Sequence, residues 1–480
     1  MSGKFFTGRF LIAVVAIVAL AGAAVADRQY PPSPPAPAPD TPAQPGGVWV
    51  CPLVKIPGVG GYVHLVNTSD ERSTVRVTFL PDGRKPMEQA LTLGPRHAAT
   101  VGTPAAIAAQ GAGAIVEYAG GTVTVSRTVP IRVAAGIPAA AASCAKPGGA
   151  DQLVPQGATL QSETQLFVMN PGTADAVVDI ALLVNGQEVR PVSLQGRVVP
   201  AQSRLIVREG DYAFDARAVS AHLTSVAGRV VSDALVVTGS FADLVPAVDP
   251  SRELVALAST ARGAATFSTV AVGDDDAVIE AQVLSGAGGT AYPPLTAALA
   301  PNTPQVGVVP NAAVTPGAVA LVARSMRSAI AIGGRWAVAP PGGKTDGAMA
   351  SGVSPADTVV AVVGPPANGT ALRLLVANPD VNEARLSITL ITESGATEPA
   401  ALQDLALGPG RTTTITFSGI APAATLGVVV SSSGARIAAA LEAIAGLSPI
   451  LAGYAVTGVP VIVPAPVAVN PDARQGVPAR

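Results

Sequence analysis

Ser143-Cys144-Ala145-Lys146 has the Ser-x-x-Lys spacing in which a lysine activates a serine for acyl transfer. That chemistry places the serine at a helix start and needs partner motifs elsewhere. Lys344-Thr345-Asp346 lacks the glycine of Lys-Thr-Gly, no Ser-Asp-Asn occurs, and the flanks of Ser143 are an Ala/Gly/Pro loop. A four-letter match is expected by chance in a chain of this length, so no catalytic residue is assigned. Acidic turns recur at Asp70-Glu71, Asp175, Asp274-Asp275-Asp276, and Asp380 with Glu383. Calcium would need several oxygens converging from both sides of a module junction. Only the Asp274 cluster has that density, and capping of backbone amides in a solvated turn is the preferred reading. Two cysteines and three scattered histidines, His64, His97 and His222, form no ligand cluster, so no metal and no cofactor is expected.

Arg96, Arg204 and Arg411 recur after proline corners and could form a repeated anion site. One arginine per module at a strand start more often lays its stem on apolar surface and keeps its head in water, which is the expectation here. Trp49 and Trp336 are the only tryptophans, and aromatics make up 4% of the chain, a poor supply for a glycan-stacking platform. No Ser-His-Asp set, paired-carboxylate cleft, phosphate loop or dinucleotide fingerprint stands out.

The elements that must carry these residues are repeats. Short apolar strands end at Asn67, Asn170, Gly273 and Asn378, spaced by 103, 103 and 105 residues, about the size of one seven-stranded β-sandwich. Val75, Val77 and Phe79 lie 8, 10 and 12 residues past the first anchor. Val178, Ile180 and Leu182 repeat the offsets, as do Leu386, Ile388 and Leu390, and alternate positions share one face of a strand. In the third copy Ile279, Ala281 and Val283 take that face if its turn is two residues shorter. Pro95, Pro200, Pro301 and Pro409 mark the end of a later strand. Gly120-Gly121, Ala227-Gly228 and Ser433-Gly434, with a less regular copy near Arg324 to Arg327, read as hairpin turns.

Charged residues are only 13%, mean hydropathy is +0.44, and 50 Gly and 44 Pro supply turns and interrupt any long helix. A net charge of −2 without a basic stripe argues against nucleic acid as a partner. Lys4 and Arg9 precede an uncharged apolar run from Phe10 to Ala26, ending in Ala24-Val25-Ala26 before Asp27, a small-x-small site for cleavage between Ala26 and Asp27. The run is also at the short limit of a membrane span, so cleavage and retention as an anchor both stay open. In either case the basic start stays cytoplasmic and the rest is sent outward. Pro31 to Gly47 reads as an extended, polyproline-like spacer. In an oxidising compartment Cys51 and Cys144, at the two ends of the first repeat, read as a disulfide; two buried free thiols are the alternative.

Gly157-Ala158-Thr159, Asn170-Pro171, Pro200 with Ser203-Arg204, and Ser232-Asp233 before Ala234-Leu235-Val236-Val237 form a series that the fourth repeat echoes in Asn378-Pro379 and Pro409-Gly410-Arg411. This pattern resembles actinobacterial secreted proteins of the domain of unknown function 5719, over most of residues 48 to 465. The third repeat lacks the Asn-Pro pair. The resemblance implies an envelope setting, no activity and no catalytic residues.

The sequence therefore predicts an all-β chain, a tandem array of about four Ig-like β-sandwich modules. These follow a signal or anchor helix at 1–26 and a Pro-rich linker at 27–47. The modules are expected at 48–144, 145–250, 251–352 and 353–465, with a disordered tail at 466–480. The expected function is that of a non-catalytic extracytoplasmic envelope protein, secreted or anchored by its N-terminal helix, that scaffolds or binds an unknown cell-envelope component, protein or glycan. It would touch the membrane only through the N-terminal segment. A module for cell-wall glycan or lipid is the alternative and would show exposed aromatics or a deep apolar pocket at a module junction. An envelope enzyme with a dispersed site is the remote one.

Overall fold

A computed structural model describes residues 46–131, 139–238, 241–261, 263–273, 275–296, 298–314, 316–338, 346–364, 370–417, 426–445 and 453–461. The signal or anchor segment, the linker up to residue 45, the tail at 466–480 and Asp274 lie outside them, while Gly46 and Gly47, expected in the linker, begin the first strand. The described chain is strands joined by turns and short 3-10 segments, as the valine- and threonine-rich, glycine-punctuated sequence requires. Among the described residues no helix is long and apolar enough to cross a membrane.

Four units of the same plan follow one another. In the first, the strands are Gly46–Lys55, Tyr62–Asn67, Ser73–Pro81, Met87–Leu93, Ala98–Gly102, Ala112–Ala119, Val123–Pro130 and Ala139–Ser143. One sheet has the order first-sixth-third-fourth, and the facing sheet fifth-second-seventh-eighth. The other units repeat both orders, with the fourth strand shortened and supplemented by a second short strand on the third. The pairing is that of an immunoglobulin-type sandwich except at its margins. The first strand lies beside the sixth and the seventh beside the second, so these two exchange the places they hold in that fold.

The small-residue turns expected to close hairpins do something else. Ala112–Ala119 and Val123–Pro130 belong to different sheets and do not pair with each other. Gly120 and Gly121, at φ 77° and 65°, carry the chain across the sandwich, and Gly228 and Gly434 sit at the same point of their units with positive φ. A Cβ on Gly121 would meet Ser69 Oγ at 2.6 Å and Asn67 Oδ1 at 2.9 Å, so this arch packs directly on the neighbouring turn.

That turn explains the recurring asparagine. The Asn170 amide nitrogen donates to Ala174 O (2.8 Å) and Val199 O (2.9 Å), while its oxygen accepts from the Gly172 amide (2.8 Å). Asn67 and Asn378 make the same three links to their own units. Each is fully buried and ties the second-to-third turn to the proline corner. In the third unit the third strand starts at Ala277, and Ser73, Ala176 and Ala384 start theirs six residues after the asparagine. The equivalent position is therefore Ala271, not Gly273, and that turn is not shortened. Ile279, Ala281 and Val283 then fall at the same offsets of 8, 10 and 12 and are buried. The third unit replaces the asparagine by alanine, so the turn chemistry that made the other three anchors visible is absent there.

The units close on themselves. The first sheet of each packs on the second sheet of the next, and the first sheet of the fourth packs on the second sheet of the first. The eighth strands, Ala139–Ser143, Phe241–Pro246, Asp346–Ser351 and Gly453–Thr457, each touch two others in a closed cycle. One heterologous, head-to-tail contact used four times returns to its starting point, and at the third-to-fourth junction Ser285 also pairs with Arg411, so the two sheets there run on as one. Apolar side chains fill the junctions: Leu53, Val129, Phe167 and Leu235 between the first and second units, and Val66, Val360, Val362 and Ile391 between the first and fourth.

Candidate functional site

Beyond each eighth strand the chain makes one more bridge to the first strand of its own unit: Ala145 with Val50, Val248 with Leu153, Val353 with Val255, and Val459 with Val360. The residues that follow are Lys146, Asp249, Ser354 and Pro460, and the first three precede a proline. All four line one cavity of about 510 Å³, shared by the four units, whose walls include Trp49, Val248, Leu254, Val353 and Val459. The scaffold is pseudo-symmetric but its rim is not, since equivalent positions offer an ammonium, a carboxylate, a hydroxyl and a proline ring. Lys146 Nζ lies 5.1 Å from the centre of the Trp49 ring, within cation–π range. The indole nitrogen donates to Val123 O at 2.8 Å, which satisfies its polar edge. The surrounding protein pushes the Lys146 amine down and the Asp249 carboxyl up, the latter opposed by a hydrogen bond from the Gly149 amide.

Polar side chains along the eighth strands link the units around the cycle. Ser143 Oγ donates to Thr457 O (2.7 Å), Thr457 Oγ1 approaches Ser351 O (3.5 Å), and Ser351 Oγ donates to Pro246 O (2.6 Å). Pro246 has no donor for the remaining link. Arg127 supplies it, donating to Ser143 O (2.8 Å) in its own unit and to the carboxylate of Asp233, which sits opposite Pro246 in the second unit. Arg127 and Asp233 are both fully buried. Burial pushes Asp233 up to about 6 and Arg127 down, while each charge steadies the other. Two further buried contacts join neighbours: Asp243 Oδ2 accepts from the Met349 amide (2.5 Å), and Trp336 Nε1 donates to Glu442 Oε1 (2.8 Å).

The residues singled out in the sequence are thereby placed. Ser143 and Lys146 lie on one strand end and the turn after it, with the serine proton committed to Thr457 O and the lysine at the mouth of the cavity. The Ser-x-x-Lys spacing thus falls on extended chain, where residues three apart face opposite ways. Cys51 and Cys144 are joined in a disulfide beside the Val50–Ala145 bridge. Positions equivalent to Cys144 are Ala247, Gly352 and Gly458, so only the first unit is stapled. The Ala26–Asp27 cleavage site expected from the sequence lies outside the described residues. Asp175 and Asp179 accept from the amides of Ala201 and Gly196, while Asp380 pairs with Arg436 at 2.7 Å. Among the described residues no group of three or more His, Cys, Asp or Glu could hold a metal ion.

The three corner arginines differ from expectation in two ways. They occupy three successive register positions: Arg411 lies opposite Asn378, Arg204 opposite Met169, and Arg96 two residues before the Ala98 that faces Val66. Their heads also reach a neighbouring unit rather than water alone. Arg204 forks onto Asp82 at 2.6 and 2.7 Å, Arg96 meets Glu398 at 3.0 Å, and Arg411 approaches Gly286 O at 3.5 Å. A long cation at the edge of one sandwich finds its neighbour within reach because the sandwiches pack head to tail, and only the Arg96–Glu398 contact depends on closure of the array. Sequence reading missed Lys146, Asp249 and Ser354 as a set. Their signal was Pro147, Pro250 and Pro355, spaced by 103 and 105 residues, the same interval as the anchors.

The family of unknown function DUF5719 matches residues 108–374 and, again, 319–449. The chain belongs to this family. The starts of the two matches lie 211 residues apart, close to two repeats, so the DUF5719 pattern itself spans more than one sandwich. No curated protein matches the chain. A Thermotoga maritima protein, 1070, is similar at 16% identity over 22% of this chain and 96% of its own, with a TM-score of 0.20. A tetra-tandem repeat from the extending region of a large adhesion protein is similar at 10% identity over 87% of this chain and 100% of its own, with a TM-score of 0.09. Neither likeness bears on the fold or the site.

Proposed function

We propose that this DUF5719 protein is a non-catalytic binding ring of an actinobacterial cell envelope, exported by its N-terminal segment and either released or held at the cytoplasmic membrane by it. Its partner is an envelope component engaged at the shared cavity. The observation that carries this reading is the cavity itself, an apolar space where all four units meet, with a rim whose four equivalent residues have diverged in charge and polarity. A purely structural axis would have no reason to vary them so widely. Catalysis is not part of the proposal, because Ser143 donates to a backbone carbonyl rather than contacting a base. Aliphatic walls and a buried Trp49 favour a ligand with an apolar body over a stacked glycan.

A photo-crosslinking amino acid at Ser354, on the exposed rim, tests the reading in growing cells, with the same group at the exposed Val381 as control. A defined adduct at position 354 and none at 381 is expected. Equal capture at both positions, or none at 354, would overturn the proposal.

A further inference from the structure

The contact between the first and fourth units differs from the other three, because no short chain connection joins them and the seam closes through side chains and the backbone surface. Strand Tyr62–Asn67 forms part of one side. Val63 and Leu65 fill the core of the first unit, so alternation turns Tyr62, His64 and Val66 towards the fourth. His64 is 1% exposed, with Nδ1 3.2 Å from Thr100 Oγ1 and Nε2 3.0 Å from Thr128 Oγ1. The fourth unit covers it with bare backbone: a Cβ on Gly364 would come within 2.5 Å of Nε2, and one on Gly427 within 2.7 Å of Val66. Val360, Val362 and Ile391 complete an apolar cluster with Val66 and Ala98. We propose that this seam is a pH-sensitive latch: it stays closed while His64 is uncharged, and acidification opens it, dividing the cavity between its first-unit and fourth-unit walls.

Among the described residues, the groups facing His64 offer a positive charge little relief. Tyr62 stacks on it at 6.4 Å, and the strands carrying Thr100 and Thr358–Val363 bring no charged side chain. Arg127, on the strand of Thr128, is engaged with Asp233. Arg96, His97 and Glu398 lie at the exposed edge of the seam, where Arg96 meets Glu398 at 3.0 Å. Burial accordingly holds the His64 imidazole down at about 3, from 6.5. For a histidine depressed in the closed state, the stabilisation of closure is complete above the open-state value of about 6.5 and is lost as pH falls towards 3. Relative to pH 7, the ratio of closed to open ring falls about 25-fold at pH 5 and about 200-fold at pH 4. Apart from Ala139, Ala141 and Val459, which pack across to the other unit, each sandwich keeps its own core when the seam parts, so opening disrupts less than unfolding does. Lys146 and Pro460 lie on opposite sides of the seam, which couples opening to the cavity. Only this consequence rests on the binding reading.

Spin labels at Glu88→Cys and Glu393→Cys, in the full chain with its disulfide intact, read the seam directly. Pulsed distance measurements at pH 7.5, 5 and 4 should show a longer population growing on acidification in the otherwise wild-type chain and in His97→Gln, and none in His64→Gln. A distance unchanged down to pH 4, or a His64→Gln response equal to wild type, would overturn the latch. If His64→Gln parts the seam at neutral pH, ring-proton NMR of His64 in the wild-type chain decides. A midpoint that follows the distance change supports the latch, and one that does not refutes it. Failure of the crosslinking experiment leaves this measurement unaffected.

Discussion

Removing one member of the Arg127–Asp233 pair should cost more than removing both. Both residues are fully buried, and between them they complete the polar links around the ring. Asp233→Ala strands a guanidinium that cannot shed its proton, so a loss of about 3 to 5 kcal/mol is expected. Arg127→Met strands a carboxylate that can escape by protonation. Asp233 already lies up at about 6 in the presence of the arginine, and removing the cation raises it further. A raised carboxyl contributes stability that is present at low pH and lost as pH rises through its folded value, so the Arg127→Met penalty should be larger at pH 8 than at pH 5, by up to about 1.4 kcal/mol per pH unit. The double variant Arg127→Met/Asp233→Leu leaves no orphaned charge and should lie within about 1 kcal/mol of wild type, or above it. Guanidinium denaturation followed by the fluorescence of Trp49 and Trp336 provides the assay, with the slope checking that the same surface unfolds in each variant. Single losses that add to the double loss within about 0.5 kcal/mol would refute the reasoning.

Glu209 is fully buried, its Oε2 meets no hydrogen-bond partner, and burial pushes its carboxyl from 4.5 to about 8. Its contribution to stability is therefore lost as pH rises from about 4.5 to 8, and Glu209→Gln should remove roughly 4 kcal/mol of the difference in stability between pH 5 and pH 9; an unchanged pH slope would show that the buried acid is not the cause. Asn170→Ala leaves two carbonyls and one amide of a buried turn without partners and should cost about 3 kcal/mol in thermal or denaturant unfolding. An effect below about 0.5 kcal/mol would mean that the turn is held by its backbone alone. Alkylation of the purified protein without reduction should add no mass, since Cys51 and Cys144 are bonded across 93 residues. Cys51→Ser should cost on the order of 4 kcal/mol by chain entropy, and two labels per chain would contradict the bond.

Much of the sandwich was legible because it is local. A buried asparagine that satisfies three backbone groups of its own turn has a fixed place in the strand order, so it recurs at a fixed interval. Alternating apolar triplets after it mark the core face directly. Where that chemistry is missing, at Ala271, the eye moves two residues on to Gly273 and invents a shortened turn. The glycine arches were misread for a related reason. A small-residue turn between two apolar runs has the same composition whether the strands pair or separate into facing sheets, and only the partners of each strand tell the two apart.

The sequence by itself determined the β class, the four-fold repetition, the buried strand faces and the pair of cysteines at the ends of the first unit, because each depends on short-range periodicity or on residue type. The tertiary structure decided that the array closes, since closure depends on how one sandwich packs on the next, and no single repeat encodes that angle in a readable pattern. It also decided the contacts that follow from that packing. Arg204 finds Asp82, Arg127 finds Asp233, and His64 is sealed under Gly364, while Lys146, Asp249, Ser354 and Pro460 come to one rim from points more than 100 residues apart. Contacts at that separation are fixed by the sum of many packed side chains, and such sums leave no motif in the chain.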